Sequence, residues 1–177
     1  QLQQGKKQIY LLPISTLLQK VCPPNYLANH VLLIKKGDQT SIQQLRLQLG
    51  NAGYRSVEQV LEHGEYAVRG SLLDLYPMGT TQPFRLDFFD DEIDSIRTFD
   101  VDTQRTISEI PEINLLPAHE FPTDSKGIEF FRGKFRETFA NIRHEPEHIY
   151  HQVSKGILNA GIEYWQPLFF EEMASLF

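Results

Sequence analysis

The chain has 177 residues, of which 41% are hydrophobic and 23% are charged, and its formal net charge is −6. This length and composition are typical of one folded domain or two small ones, and they exclude a largely disordered protein. The acidic balance argues against a primary nucleic-acid binder, whose surface is usually strongly basic. Cys22 is the single cysteine, which excludes an internal disulfide and a zinc site built on several cysteines.

The sequence shows neither a predicted membrane span nor a predicted signal peptide. No apolar run approaches the roughly 20 residues that cross a bilayer, and the polar residues 1–7 do not resemble a signal peptide. Together with the lone cysteine, this predicts a cytoplasmic protein that does not enter a membrane. Because the chain begins with Gln and ends with the apolar stretch at residues 167–177, without a polar tail, we expect it to be an internal piece of a longer protein.

The first third of the chain predicts strands and helices in alternation. The predicted elements are a buried strand at residues 8–13, a short helix at 16–21, a strand at 30–34 and a helix at 41–52. We expect Ser15 to cap the short helix. The longer helix is amphipathic, with Ile42, Leu45 and Leu49 on one stripe and Gly53 at its end.

Between residues 54 and 117 the apolar pattern changes to a period of two, which is typical of β-strands. Seven short strands are predicted, at residues 54–60, 65–69, 72–76, 84–89, 92–99, 105–110 and 113–116. Turn residues separate most of them, so consecutive strands are close enough to pair, and we expect an antiparallel meander. Residues 31–117 hold eight Lys and Arg against fourteen Asp and Glu, so the whole acidic excess lies in this zone.

The last third of the chain returns to helical spacing. Residues 123–140 predict a helix that Thr123 or Asp124 caps, with an apolar stripe formed by Ile128, Phe131, Phe135 and Phe139. Residues 147–155 predict a second helix, with Pro146 suited to its first turn. Residues 161–170, GIEYWQPLFF, form a dense aromatic cluster.

Catalytic motifs are weak or missing. There is no phosphate-binding loop and no nucleophile elbow, so we expect no enzymatic activity and no cofactor in this chain. Residues 144–148, HEPEH, match a zinc-hydrolase pattern by letter, with His144, Glu145 and His148 in the functional positions. The pattern needs a continuous helix, and Pro146 would interrupt that helix at a cost of about 3 kcal/mol. A solvated helix start is the better interpretation, and we expect no metal site.

Two further groups of side chains could bind ligands. The acidic run Asp90-Asp91-Glu92-Asp94 could hold a divalent cation, although a hairpin turn with its carboxylates in water is the simpler interpretation. Tyr54, Tyr66 and Tyr76 could stack nucleic-acid bases on a sheet. The acidic charge of the same zone argues against that role.

The strand at residues 84–89 carries the most informative pattern. Phe84, Leu86 and Phe88 alternate as core residues, which places Arg85, Asp87 and Phe89 on the other face. A large aromatic side chain beside an arginine on a polar face is typical of a protein–protein hot spot.

The same alternation in the strand at residues 65–69 turns Tyr66 and Val68 inward and Glu65, Ala67 and Arg69 outward. If the two strands share a sheet, Arg69, Arg85 and Phe89 form one binding patch. The competing interpretation is that a neighbouring element covers Phe89 and that both arginines make local ion pairs.

Several ordered motifs in this zone carry a family resemblance. They are EHGEYAVRG at residues 62–70, LDLYP at 73–77, RLDFFDDEI at 85–93, FD at 99–100 and TQR at 103–105. These motifs resemble the UvrB-homology module of bacterial DNA repair proteins. Residues 113–122, INLLPAHEFP, and 161–170 are similar to the transcription-repair coupling factors (the Mfd family) and not to UvrB itself.

The resemblance implies a domain organisation and an α+β fold class. Residues 1–30 would be the end of domain 1a, a strand plus a helix. Residues 31–117 would be domain 2, an antiparallel sheet with one helix, and residues 118–177 a helical part of domain 1b. Domains 1a and 1b belong in that family to a degenerate helicase-like α/β unit without working nucleotide motifs.

The resemblance also implies a function. Domain 2 is the family's docking surface for UvrA, and the family's contact residues fall on Arg69, Arg85 and Phe89. The implied role is a non-catalytic adaptor that recruits UvrA to stalled RNA polymerase in transcription-coupled nucleotide excision repair. An ATP- and Mg-dependent double-stranded DNA translocase would lie elsewhere in the parent, and the parent's C-terminal domain would mask the docking surface. The alternative is a UvrB-like module that contacts DNA directly.

Overall fold

The computed structural model describes residues 11–140 and 148–175. The helices are α1 (Ile14–Leu17), α2 (Pro24–His30), α3 (Ile42–Asn51), α4 (Ser125–Thr138) and α5 (Ile149–Ser154), followed by a 3-10 helix at Ile162–Phe169. The strands are β1 (Lys20–Val21), β2 (Leu32–Lys35), β3 (Arg55–Ser56), β4 (Glu65–Arg69), β5 (Leu72–Tyr76), β6 (Phe84–Phe89), β7 (Glu92–Phe99), β8 (Thr106–Ile110), β9 (Glu112–Leu115) and β10 (Ala174–Ser175). Within these residues no helix has the length and apolar character needed to cross a bilayer.

The main sheet has six strands in the order β3-β4-β5-β6-β7-β8. Strands β4 to β8 pair antiparallel with their chain neighbours, which confirms that part of the predicted meander. Gly70 makes the tight β4–β5 connection possible, because its φ of +63° is a conformation that residues with a Cβ rarely adopt. The mixed α+β fold class is therefore the predicted one.

Two predicted strands do not belong to the meander as expected. Only Arg55–Ser56 of the strand predicted at residues 54–60 is extended, and it pairs parallel with β4. The chain then leaves the sheet because Val60 is fully buried in a small separate cluster with Ala67 and Phe99. Strand β9 pairs antiparallel with β2 in a sheet of two strands and does not extend the meander.

One face of the main sheet is packed against α3. The helix begins as predicted, because the Ser41 side chain accepts a hydrogen bond from the Gln44 N–H and the Gln44 side chain bonds back to the Ser41 backbone. Its buried residues Leu45 and Leu49 belong to the same core as Leu86. This packing assigns one face of the sheet to the core and leaves the other for the candidate site.

The N-terminal prediction is wrong in several details. The strand predicted at residues 8–13 falls partly outside the described residues, and residues 11–13 form no regular element. Helix α1 begins after Pro13 with no side-chain cap, so Ser15 does not cap it. Lys20 and Val21 form β1, which pairs with β10. The unpredicted α2 begins at Pro24, because proline is tolerated in the first turn of a helix although it stops one elsewhere.

The C-terminal residues form a second core around α4. The Asp124 side chain caps this helix by accepting a hydrogen bond from the Gly127 N–H at 2.8 Å. Phe131 and Phe135 of the predicted apolar stripe are buried in one cluster with Phe169 of the 3-10 helix. Helix α5 begins after His148, while Pro146 lies outside the described residues. The domain boundaries at residues 30 and 117 stay predictions.

Two glycines of α4 provide a test of this packing. A Cβ on Gly127 would meet the Cβ of Pro122 at 2.7 Å, whereas a Cβ on Gly133 would meet no atom within 4 Å. We expect Gly127→Ala to lower the free energy of unfolding by about 1–3 kcal/mol through overpacking. Gly133→Ala should raise it by about 0.5–1 kcal/mol, because alanine favours the helix. Urea unfolding of both variants measures this, and equal effects would contradict the described contact.

Candidate partner-binding site

The three residues of the predicted patch lie on the sheet face opposite α3. Arg69 ends β4, Arg85 lies in β6 and Phe89 ends β6. Leu86 and Phe88, which alternate with them along β6, are buried in the α3-facing core. Because successive side chains of a strand point to opposite faces, the patch residues point away from that core.

Phe89 is the most exposed aromatic side chain of the main sheet, with 73% of its surface accessible. It stands opposite Glu92 at the β6–β7 turn, where Asp90 adopts a φ of +52°. In the described part of the chain no element covers the ring. A phenylalanine in this position gains nothing for the fold, so it is available to a partner.

Asp74 of β5 joins the two arginines of the patch. It is only 1% exposed and accepts a hydrogen bond from Arg69 Nη2 at 2.6 Å. Arg85 donates to the same carboxylate from Nε at 2.7 Å and from Nη2 at 2.9 Å. Two guanidinium groups thus share one buried carboxylate, which fixes their positions and leaves a local excess of one positive charge.

The two arginines differ in what they can offer a partner. The Arg85 side chain is 14% exposed, donates from Nη1 to the Gln104 carbonyl at 3.2 Å and lies 4.7 Å above the centre of the Phe99 ring. Its hydrogen bonds to Asp74 raise the pKa of Arg85 above its usual value. The Arg69 side chain is 48% exposed. Arg69 can therefore reach a partner, whereas most donors of Arg85 are used within the domain.

The predicted outward face is not open along its whole length. Glu65 and Ala67 were expected to point to solvent, but they are 6% and 1% exposed. Ala67 packs with Val60 and Phe99 under the segment that follows β3. This correction has a simple cause, because strand alternation shows which face a side chain occupies but not whether another segment covers that face.

Glu65 holds the covering segment in place. Its Oε2 accepts hydrogen bonds from the Leu61 N–H at 2.9 Å and the Glu62 N–H at 2.8 Å. Its Oε1 accepts from Arg55 Nη2 at 2.6 Å. Burial acts to raise the pKa of Glu65, but these hydrogen bonds outweigh it, and the pKa lies below its ordinary value.

The other candidate ligand groups do not form a site in the described residues. Tyr54 and Tyr66 are 4% and 6% exposed, and Tyr76 packs on His63 with ring centroids 3.9 Å apart. The proposed base-stacking platform is therefore wrong, because burial removes two of its three rings from solvent. Burial also raises the pKa of Tyr54 to about 12.

The metal-binding alternatives gain no support. The described ranges contain no cluster of three or more His, Cys, Asp or Glu side chains that could hold a metal ion. The acidic run forms a hairpin turn in which Glu92 bonds to Gln39. His144 and Glu145 lie outside the described residues. His148 caps α5 by accepting a hydrogen bond from the Tyr150 N–H at 3.2 Å.

Asp74 was missed as a site residue by the sequence analysis. The sequence does contain a pattern that could have identified Asp74 as a site residue. It is a charged residue between the apolar residues Leu73 and Leu75 of a strand. Strand register places it directly opposite Arg85 and opposite Ala67, two residues before Arg69. A buried carboxylate in such a row needs cationic partners.

Comparison with known proteins identifies the region that contains this site. Residues 32–121 match the sequence profile of the family described as "UvrB interaction domain". The chain is 76% identical over 176 residues to the transcription-repair-coupling factor of Haemophilus influenzae and 61% identical over 172 residues to that of Escherichia coli K12. These alignments cover 99% and 97% of the chain and 15% of each relative. A Staphylococcus aureus factor with the same name is 32% identical over 142 residues, which are 80% of the chain and 12% of that protein.

The shared carboxylate leads to a prediction about stability. Asp74→Asn would leave two guanidinium groups facing each other without a counter-charge. We expect a loss of about 2–3 kcal/mol in the free energy of unfolding. This loss is smaller than is usual for breaking a fully buried ion pair, because the Arg69 side chain can turn to water. Chemical denaturation of the Asn variant measures this. The control is Glu109→Gln, which removes an exposed carboxylate of the same sheet and should leave stability nearly unchanged. Equal effects of the two changes would contradict the role of Asp74.

The lowered pKa of Glu65 predicts a pH dependence. The unfolded state binds a proton at Glu65 more readily than the folded state does. Glu65 therefore stabilises the fold above its unfolded pKa, and this contribution is lost as the pH falls through the folded pKa. Glu65→Gln should be less stable than wild type at about pH 7, and the difference should shrink towards about pH 3. Urea unfolding across this range tests it, with Glu62→Gln as the exposed control; a difference that is constant with pH would contradict it.

Proposed function

The chain belongs to the family of UvrB interaction domains, and on that premise we propose that it is a docking module for UvrA without a catalytic centre of its own. The observation that carries this proposal is the exposed Phe89 ring on the sheet face opposite α3, beside two arginines that one carboxylate positions. This arrangement has the composition of a hot spot, with an aromatic anchor and cationic hydrogen-bond donors at one place.

The aromatic ring would supply the apolar part of the binding energy. Burying a phenylalanine side chain that water surrounds in the free protein is worth about 1.5–3 kcal/mol. Because Phe89 is 73% exposed, most of that area is still available. The ring lies at the end of a paired strand, so little chain order has to be gained on binding.

The arginines would supply direction and specificity. Arg69 keeps donor groups free towards solvent, and its bond to Asp74 holds the side chain in one region before the partner arrives. A positioned guanidinium loses less conformational freedom when it binds a carboxylate. Arg85 would act mainly by holding Asp74 and, through it, Arg69, because its own donors are mostly used within the domain.

The role of the parent protein follows from the relatives and extends the proposal. The relatives are named transcription-repair-coupling factors. We propose that the chain recruits UvrA to stalled RNA polymerase during transcription-coupled repair in the cytoplasm. A motor that uses ATP and Mg to move on DNA, and a C-terminal domain that masks the patch, would lie in other parts of the parent.

The first test is a comparison of Phe89 with another exposed apolar residue. We expect Phe89→Ala to weaken binding of purified UvrA by about 2 kcal/mol or more, which is roughly 30-fold in Kd. Leu47, which is 69% exposed on α3, is the matched control on the opposite side of the sheet. Leu47→Ala should leave the Kd unchanged, as measured by isothermal titration calorimetry.

Thermal unfolding of both variants serves as the check on folding. Neither side chain is buried, so both midpoints should stay close to that of wild type. Failure of the wild-type chain to bind UvrA, or equal binding by the Phe89→Ala variant and wild type, would refute the proposed function.

A further inference from the structure

A row of charged side chains crosses the sheet on the face that carries the patch. The strand register places Asp74 opposite Arg85, Arg85 opposite Arg97 and Arg97 opposite Glu109, on the neighbouring strands β5 to β8. We call these four residues the charged row. Directly opposite residues of neighbouring strands lie about 5 Å apart, so each member interacts with the next.

Three members of the charged row are paired within the domain. Asp74 and Arg85 bond to each other at 2.7 Å and 2.9 Å. Glu109 accepts a hydrogen bond from Lys36 Nζ at 2.8 Å. The bond from Lys36 and its charge, with a smaller contribution from Arg97, lower the pKa of Glu109.

Arg97 is the exception in the charged row. Its side chain is partly buried, and in residues 11–140 and 148–175 it makes no hydrogen bond and no ion pair. It also stands directly opposite a second guanidinium, and like charges in that position destabilise a sheet. Within the charged row its opposite charge is Glu109, which it influences without a bond, because Glu109 bonds to Lys36.

Three other carboxylates of this face are already engaged by groups of the domain. Asp74 is shared by Arg69 and Arg85, and Glu65 is held by Arg55 and two backbone N–H groups. Asp87 accepts a hydrogen bond from Ser71 at 3.3 Å. Glu109 lies directly opposite Arg97, but its hydrogen bond goes to Lys36. In the described residues Arg97 therefore has a carboxylate nearby and no carboxylate bonded to it.

We infer that Arg97 is a further partner-binding residue and that its ligand is an acidic side chain of the docked protein. The planar guanidinium suits a carboxylate because two parallel N–H···O bonds can form at once. The proposed contact extends the patch from Phe89 and Arg69 across β6 onto β7. This inference rests on the proposed function, since it names a second contact for the same partner.

The position of Arg97 also indicates how the proposed contact would contribute to the orientation of the docked partner. The acidic excess of the chain lies in residues 31–117, so this domain on average repels an acidic partner. A cation without a bonded carboxylate offers that partner a local attraction, which favours one orientation of docking. The acidic group of the partner would in turn relieve the repulsion between Arg97 and Arg85.

The test compares Arg97→Met with Arg46→Met in binding to purified UvrA. Methionine keeps the aliphatic part of the side chain and removes the charge. Arg46 is exposed on α3, on the opposite side of the sheet, so its variant has the same change in net charge. We expect Arg97→Met to raise the Kd by about tenfold and to reduce its dependence on salt, while Arg46→Met shifts the Kd by less than about twofold. Arg97→Lys, which keeps the charge but not the planar donor pair, should lie between wild type and Arg97→Met.

A readout of stability separates binding from folding. In the described residues Arg97 makes no hydrogen bond or ion pair, and it stands opposite Arg85. Arg97→Met should therefore unfold at the temperature of wild type or slightly above it. A clearly lower unfolding midpoint together with weaker binding would overturn the inference, since Arg97 would then act through the fold.

The Phe89→Ala variant is measured in the same binding assay. If it abolishes binding while Arg97→Met binds like Arg46→Met, the inference fails and the proposed function stands. If Phe89→Ala binds like wild type, the proposed function fails and the inference fails with it.

Discussion

The carboxylate of Asp74, buried between two guanidinium groups, is the interaction on which the outer face of the sheet depends. A charged group that is 1% exposed is costly unless it is paired and hydrogen-bonded. Arg69 and Arg85 provide three bonds to it from two different strands. The arginines therefore cannot turn away independently, because either movement would leave part of a buried charge without compensation.

This coupling divides the roles of the patch residues. Arg85 lies between the Phe99 ring, the Gln104 carbonyl and Asp74, so it belongs to the framework as much as to the surface. Arg69 and Phe89 remain the accessible members. A surface that is ordered before its partner arrives loses less freedom on docking, which is how a small patch can bind with useful affinity.

The proposed docking of an acidic partner on this acidic domain depends on how the charges of the outer face are paired. Four carboxylates of this face are engaged within the domain by a lysine, backbone N–H groups, a serine or an arginine: Glu109, Glu65, Asp87 and Asp74. Arg97 and the exposed part of Arg69 are not neutralised in the same way. Local pairing, and not the net charge of the chain, therefore decides which sign of charge a partner meets there.

The features that depend on near neighbours in the chain could be predicted from the amino-acid pattern. Strands β4 to β8, the capped helices α3 and α4, and the face of β6 on which Phe89 lies follow from alternation, turn residues and caps, which act within a few residues. The folded structure was needed to show that β9 pairs with β2, that β3 runs parallel to β4, that the segment after β3 covers Ala67, and that Asp74 binds two arginines. These arrangements depend on contacts between residues far apart in the chain, and a local pattern shows which face a residue occupies but not which distant segment will meet it.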